Sequence, residues 1–201
     1  MKMYICFMLL LLIQGGIFVY WKQAPKIFAI LMTVEFILLS GLRNIMVGGD
    51  TQAYITFFER IDFHYTWKEI ITYIFWRYWT GDKWFEPLYV LYIKIFHTVT
   101  INPQIFLIIT AIIIFIPLGR YLYDNSRDIS MSAMIYMCLF FQCFGITAIR
   151  QAIGISIVSL WGFRFVKERR LGWYLLTVFV AFLFHISAII MLPFYFLYQM
   201  K

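Results

Sequence analysis

Three basic side chains stand where the surrounding sequence makes a charge costly. Arg43 closes the second apolar run, Arg150 opens a later one in FGITAIRQAIGISIV, and His185 is embedded in FLFHISAIIMLP. A guanidinium offers a planar fork of donors suited to phosphate, and a cation at such a position is either a functional group or a snorkelling anchor. An imidazole titrates near neutrality and is the natural proton acceptor, although a lone apolar-run histidine is commonly a packing residue. Two acids, Asp50 and Glu86, complete the set, Glu86 standing before a proline where it suits a helix start or a base.

The neighbours of these residues narrow their chemistry. In GLRNIMVGGDTQAY, Gly48 and Gly49 let backbone N–H groups approach an anion closely. Asp50 would repel an anion, so its roles are helix capping, metal contact or binding of a sugar hydroxyl. Tyr54 begins a stripe with Phe57, Phe58 and Ile61 at helical spacing. Gln151 adjoins Arg150, and Ala148, Ala152 and Ser156 form a small-residue face for close helix packing. Ser187 is placed to orient the His185 ring or a hydroxyl. Glu35, inside the second apolar run, is expected to pair with Lys94 or an arginine. Walker, Rossmann, zincin and Gly-x-Ser-x-Gly signatures do not occur, so the chain offers no ATP or dinucleotide site.

The elements that carry these residues are membrane spans. The chain has 201 residues, 63% hydrophobic and 21% aromatic, against roughly 45–50% apolar in a soluble domain. Spans are expected at about Tyr4–Tyr20, Ile27–Leu42, Gln104–Leu118, Met131–Ile146, Ile149–Val166 and Trp173–Tyr198, the last interrupted at His185 and Pro193. The reading is an all-α polytopic membrane protein, one membrane domain over 1–201, with about six or seven transmembrane or re-entrant helices. The first run is expected to remain as an uncleaved span, because no small-x-small cleavage pattern follows it. Cys6, Cys138 and Cys143 lie in apolar runs without metal or CxxC spacing, and are expected as packing residues.

Charge sets the orientation. The net charge is +7, but six of the ten acids lie between positions 43 and 86. The basic excess sits in short connections at Lys22 and Lys26, Arg120 and Arg127, and Lys167 to Arg170. Such connections belong in the cytoplasm and against anionic lipid, and no soluble basic patch suggests nucleic acid. Residues 43–84 then form an external loop with two amphipathic helices. One starts at Asp50; the other starts at the capping-box pattern Thr66–Glu69 and runs over Trp67–Tyr78 at the headgroup level. Parity requires that Phe85–Thr98, with Glu86, Lys94 and His97, does not cross the membrane. An inverted arrangement, with 43–84 in the cytoplasm, satisfies the basic residues comparably well.

The pieces GLRNIMVGGDTQAY, FEPLYVLY, IRQAIGIS and FHISAII occur in that order between apolar spans, and in this the chain resembles the EpsG family of Wzy-like exopolysaccharide and O-antigen polymerases. The matching positions are Arg43, Gly48, Asp50, Tyr54, Glu86, Arg150, Gln151, His185, Ser187 and Ala188. The resemblance implies a bacterial inner-membrane glycosyltransferase that polymerises undecaprenyl-diphosphate-linked repeat units, in contact with membrane lipids and other polysaccharide assembly proteins. Under it, Arg43, Arg150 and Gln151 bind the diphosphate, His185 is the base, and Asp50 and Glu86 are further catalytic candidates. Gly48, Gly49, Tyr54 and Ser187 support them. Neither a cofactor nor a metal is called for, since two guanidiniums neutralise a diphosphate. Members of the family continue through further spans, so the 201 residues are expected to match an N-terminal portion. A flippase for lipid-linked sugars and a non-catalytic scaffold subunit are the alternatives.

Overall fold

The computed structural model describes residues 2–18, 24–72, 85–139 and 141–200. Every regular element among them is helical. In chain order these are α1 (Lys2–Phe18), α2 (Ala24–Gly41), α3 (Thr51–Glu59), α4 (Ile61–His64), α5 (Pro87–Val99), α6 (Pro103–Asn125), α7 (Ile129–Cys138), α8 (Phe144–Thr147), α9 (Ile149–Lys167), α10 (Leu171–Phe184) and α11 (Phe194–Gln199). Three of them, α2, α6 and α9, are long and apolar enough to cross a bilayer. The expected Met131–Ile146 span is instead a bent pair, Ile129–Cys138 and Phe141–Thr147, with axes 70° apart.

The spanning helices are apolar on both sides, and the two sides do different work. On α2, Phe28, Met32, Phe36 and Leu39 are buried, while Ile30, Val34 and Leu38 stay exposed. A helix that is hydrophobic all round has protein on one face and lipid on the other. The chain is a polytopic all-α membrane protein. Helix α2 packs most extensively on α6, closely enough that Gly41 meets the Ile108 backbone and Gly119 meets Thr33. Cys6 and Cys138 lie on the outward surface rather than in the core.

Helix α5 begins and ends at one end of the bundle. Its first turn follows Glu86, which reaches the start of α9. After it, Gln104 of α6 donates to the carbonyls of Gly41 (2.5 Å) and Arg43 (3.3 Å) at the end of α2. At about 1.5 Å per residue its 13 residues fall short of the ~30 Å hydrocarbon core. It lies across the first turns of α6, where Tyr92 bonds Thr110 at 2.7 Å and packs on Phe106. Lys94 does not pair with Glu35. It bonds Asp62 of α4 at 2.5 Å and the Tyr65 carbonyl at 2.7 Å, while Glu35 takes a hydrogen bond from Gln14 of α1. Pairing is local because a buried ammonium and a half-buried carboxyl each take the partner that their own helix packing presents.

The capping box forms as expected: Glu69 accepts from the Thr66 amide at 2.7 Å, and Thr66 accepts from the Glu69 amide at 3.3 Å. Helix follows over 67–72, and the rest of the expected Trp67–Tyr78 helix lies outside the described residues. Asp50 occupies the N-cap position of α3, but its side chain makes no capping bond there.

Gly48 has φ +109°, and a Cβ there would stand 3.0 Å from the Ile146 carbonyl; around Gly49 there is open space. Gly48→Ala is therefore expected to destabilise the purified protein by about 1–3 kcal/mol, and Gly49→Ala by no more than about 0.5 kcal/mol. Thermal melting in detergent checks the pair, and equal melting temperatures would refute the assignment.

Candidate active site

Arg43, at the mouth of α2, is buried against backbone. Its Nη1 donates to the Ser40 carbonyl and, at 3.1 Å, to the Ser40 hydroxyl; Nη2 donates to the Ile146 carbonyl at 3.0 Å. Thr51, the first residue of α3, donates to the same Ile146 oxygen at 3.0 Å, and Ser40 donates to Gly145 at 3.0 Å. The ends of α2 and α3 thus hold the turn that leads into α9. Backbone near a bilayer must have its carbonyls satisfied by protein, and this clamp does so.

Two residues after that turn stands Arg150, in the first turn of α9. Its Nη1 bonds Glu86 Oε2, and its guanidinium lies 4.8 Å from the Phe85 ring centroid and 5.8 Å from that of Tyr54. The other Glu86 oxygen meets His185 Nδ1 at 2.8 Å and accepts from the Ile186 amide at 3.4 Å. One carboxylate, 4% exposed, therefore joins residues 64 and 99 positions away, while the Arg150 and His185 side chains are each 23% exposed. His185 reaches it because α10 stops there: His185 is extended (φ −159°, ψ 127°) and the chain continues as a 3₁₀ segment, Ile186–Met191.

Glu86 lies ahead of α5, outside the spanning helices. Burial by itself would raise its carboxyl, but the hydrogen bond with His185 and the charge of Arg150 outweigh it and hold the group below the usual carboxylate range. An ionised Glu86 only accepts, so the His185 ring donates from Nδ1.

Beside His185 a cavity of about 420 Å³ runs along α9 and the 3₁₀ segment, lined by Gln151, Gly154, Ser159, Ser187 and Ile190 among others. Gly154 brings α9 against the Ala181 backbone of α10, and Ser156 bonds the Ile114 carbonyl of α6 at 2.9 Å. Gln151 and Ser187 thus lie on the open side of the histidine. Tyr54 is buried with its ring beside the Arg150 guanidinium; Asp50, exposed one turn earlier, accepts the Tyr54 amide on its backbone carbonyl at 3.1 Å.

The structure brings Glu86, Arg150, His185 and Tyr54 into one cluster, with Gln151 and Ser187 at its edge. Arg43 and Gly48 belong to the clamp behind it, and Asp50 and Gly49 lie outside. Sequence reasoning passed over Ser40, Thr51 and Tyr89, although the last two fall within the quoted motifs.

The EpsG family model matches residues 26–201. The chain belongs to the EpsG family. No curated protein and no solved structure matches it. Membership of the EpsG family brings a polysaccharide-polymerase type of function, a membrane setting and a lipid-linked glycan as substrate. All four motifs quoted from the sequence fall inside the EpsG match, and each supplies one residue of the Glu86 cluster: Tyr54, Glu86, Arg150 and His185.

Because the Glu86 carboxyl is depressed, its stabilisation is fully present above the ordinary carboxylate value of about 4.3 and is lost as the pH falls through its lower folded value. Glu86→Gln should therefore melt lower than wild type at neutral pH, by on the order of 1–3 kcal/mol in stability. The gap should narrow as the pH is lowered below about 4.3. A gap that stays constant across that range would refute the depressed carboxyl.

Proposed function

We propose that the protein joins oligosaccharide repeat units carried on undecaprenyl diphosphate, with Glu86, Arg150 and His185 as its reaction centre. The observation that carries this reading is the shared carboxylate: Glu86 meets the guanidinium with one oxygen and the imidazole with the other. Arg150 turns its fork of donors to the diphosphate of the donor glycan and stabilises it as a leaving group. His185, oriented through Nδ1, uses Nε2 to take the proton of the acceptor hydroxyl as that oxygen attacks the anomeric carbon. The bond from that carbon to the diphosphate breaks, and the diphosphate leaves with the electron pair. Glu86 acts as the carboxylate that orients the base and stabilises its charged form, not as the base itself.

Gln151 and Ser187 face the cavity where the acceptor sugar would sit. Arg43 adds positive charge near the centre, but it bonds the Ser40 and Ile146 carbonyls and the Ser40 hydroxyl, so its main effect is on the position of Arg150. The end of the bundle that holds the cluster faces outward in this reading, where lipid-linked units and growing glycan meet.

Polymer formation in a host lacking its polymerase separates these roles. His185→Ala should lower turnover by about 10²–10⁴ at normal membrane levels, and Arg150→Ala should abolish polymer. Arg43→Ala should mainly reduce the amount of folded protein, with activity per folded molecule less affected. Normal polymer from Arg150→Ala would overturn the diphosphate role, and unchanged turnover in His185→Ala would remove the base.

A further inference from the structure

Tyr89 lies in the first turn of α5, its ring held by Tyr54, Phe85 and Tyr92 at centroid separations of 5.6, 5.5 and 5.9 Å. The side chain is 0% exposed, yet its hydroxyl makes no hydrogen bond. Those three rings account for the aromatic body and leave the oxygen unexplained. Phenylalanine would fill the same slot without burying an unsatisfied donor.

The surroundings suggest what the oxygen awaits. Glu86 is the N-cap of α5 and Tyr89 its third residue, so both belong to one helical turn. The Tyr89 hydroxyl feels the charges of both Arg150 and Glu86. Without a ligand, Glu86 is fully engaged: Arg150 on one oxygen, His185 and the Ile186 amide on the other. An anion that takes the Arg150 Nη1 group strips the first oxygen of its donor. A buried carboxylate abandoned in this way is strongly unfavourable, and would set a heavy cost on binding.

We propose that Tyr89 is a positioning residue that replaces Arg150 on Glu86: as an anionic diphosphate draws the guanidinium away, the Tyr89 hydroxyl donates to the freed carboxylate oxygen. This inference rests on the reading of Arg150 as the diphosphate ligand. No proton changes owner, because burial pushes the phenol far above its ordinary range and Glu86 stays ionised. The exchange keeps Glu86 in place, and with it the orientation of His185, while Arg150 is occupied. It also accounts for a donor that is idle in the ligand-free molecule.

The test uses the full chain in lipid nanodiscs, undecaprenyl diphosphate as the probe and melting without ligand as the control. Tyr89→Phe should melt at or above wild type, since no hydrogen bond is lost, and should bind the probe about tenfold more weakly. In a Glu86→Gln background, where no carboxylate charge needs a donor, the same substitution should change binding less than about twofold. Wild-type affinity in Tyr89→Phe would overturn the inference and leave the hydroxyl as a site for buried water. A lower melting point would overturn it in favour of a structural role, and an undiminished effect in the Glu86→Gln background would mean direct contact with the ligand. A wild type that does not bind the probe would overturn both this inference and the reading of Arg150; loss of binding in Arg150→Gln alone would overturn only the Tyr89 assignment.

Discussion

The carbonyl of Ile146 is the point on which the arrangement turns. It lies in the short helix before α9, where the chain changes direction and no continuing helix supplies it with a donor. In an apolar setting such a group must be satisfied by side chains, and Arg43 and Thr51 do this from two different elements. The same approach explains Gly48, whose left-handed backbone passes where a side chain would meet that oxygen. Arg43, Gly48 and Thr51 thus act as one device that sets where α9 begins, and so where Arg150 stands.

From that fixed start, the second constraint is electrostatic. Glu86 is almost fully buried, and an ionised carboxylate there requires partners on both oxygens. It obtains them from α9 and from the break after α10, so closing this ion pair is what draws three distant segments to one end of the bundle. The break after α10 leaves His185 extended and its ring within reach, while α5 stays short and lies across α6. Under the proposed function, placing an acid, a fork of donors and an imidazole together in this way divides labour: the carboxylate orients the base, the guanidinium meets the diphosphate, and the imidazole takes the acceptor's proton.

The remainder of the molecule is a support with a lipid-facing exterior. Close contacts at Gly41, Gly119 and Gly154 bring α2, α6, α9 and α10 together with little room between them. Helices in a bilayer gain little from burying apolar surface against one another, so close backbone approach and interhelical hydrogen bonds such as Ser156 to Ile114 carry the association. The cavity beside His185 opens where α9 meets the 3₁₀ segment rather than another full helix, leaving open space at the edge of the cluster.

Composition and the ordered motifs sufficed for much of this. A chain this apolar has to be a helical membrane protein, because only internally hydrogen-bonded segments persist in hydrocarbon. The ionisable residues in Phe85–Thr98 marked it as a poor full span, its helix is only 13 residues long, and four short motifs in order pointed to the family. Thr66–Glu69 was legible as a cap because a capping box is satisfied within one turn. Partnerships across the chain were not legible. Glu35 with Gln14, Lys94 with Asp62, and Arg43 with the Ile146 carbonyl depend on which helices become neighbours, and charge alone makes many pairings equally attractive. Tyr89 carried no signal in the sequence, because only packing encloses its hydroxyl. The sequence by itself determined which residue types were costly enough to need a reason; only the tertiary structure decided which of them met, because burial and hydrogen-bond geometry exist only once the helices are packed.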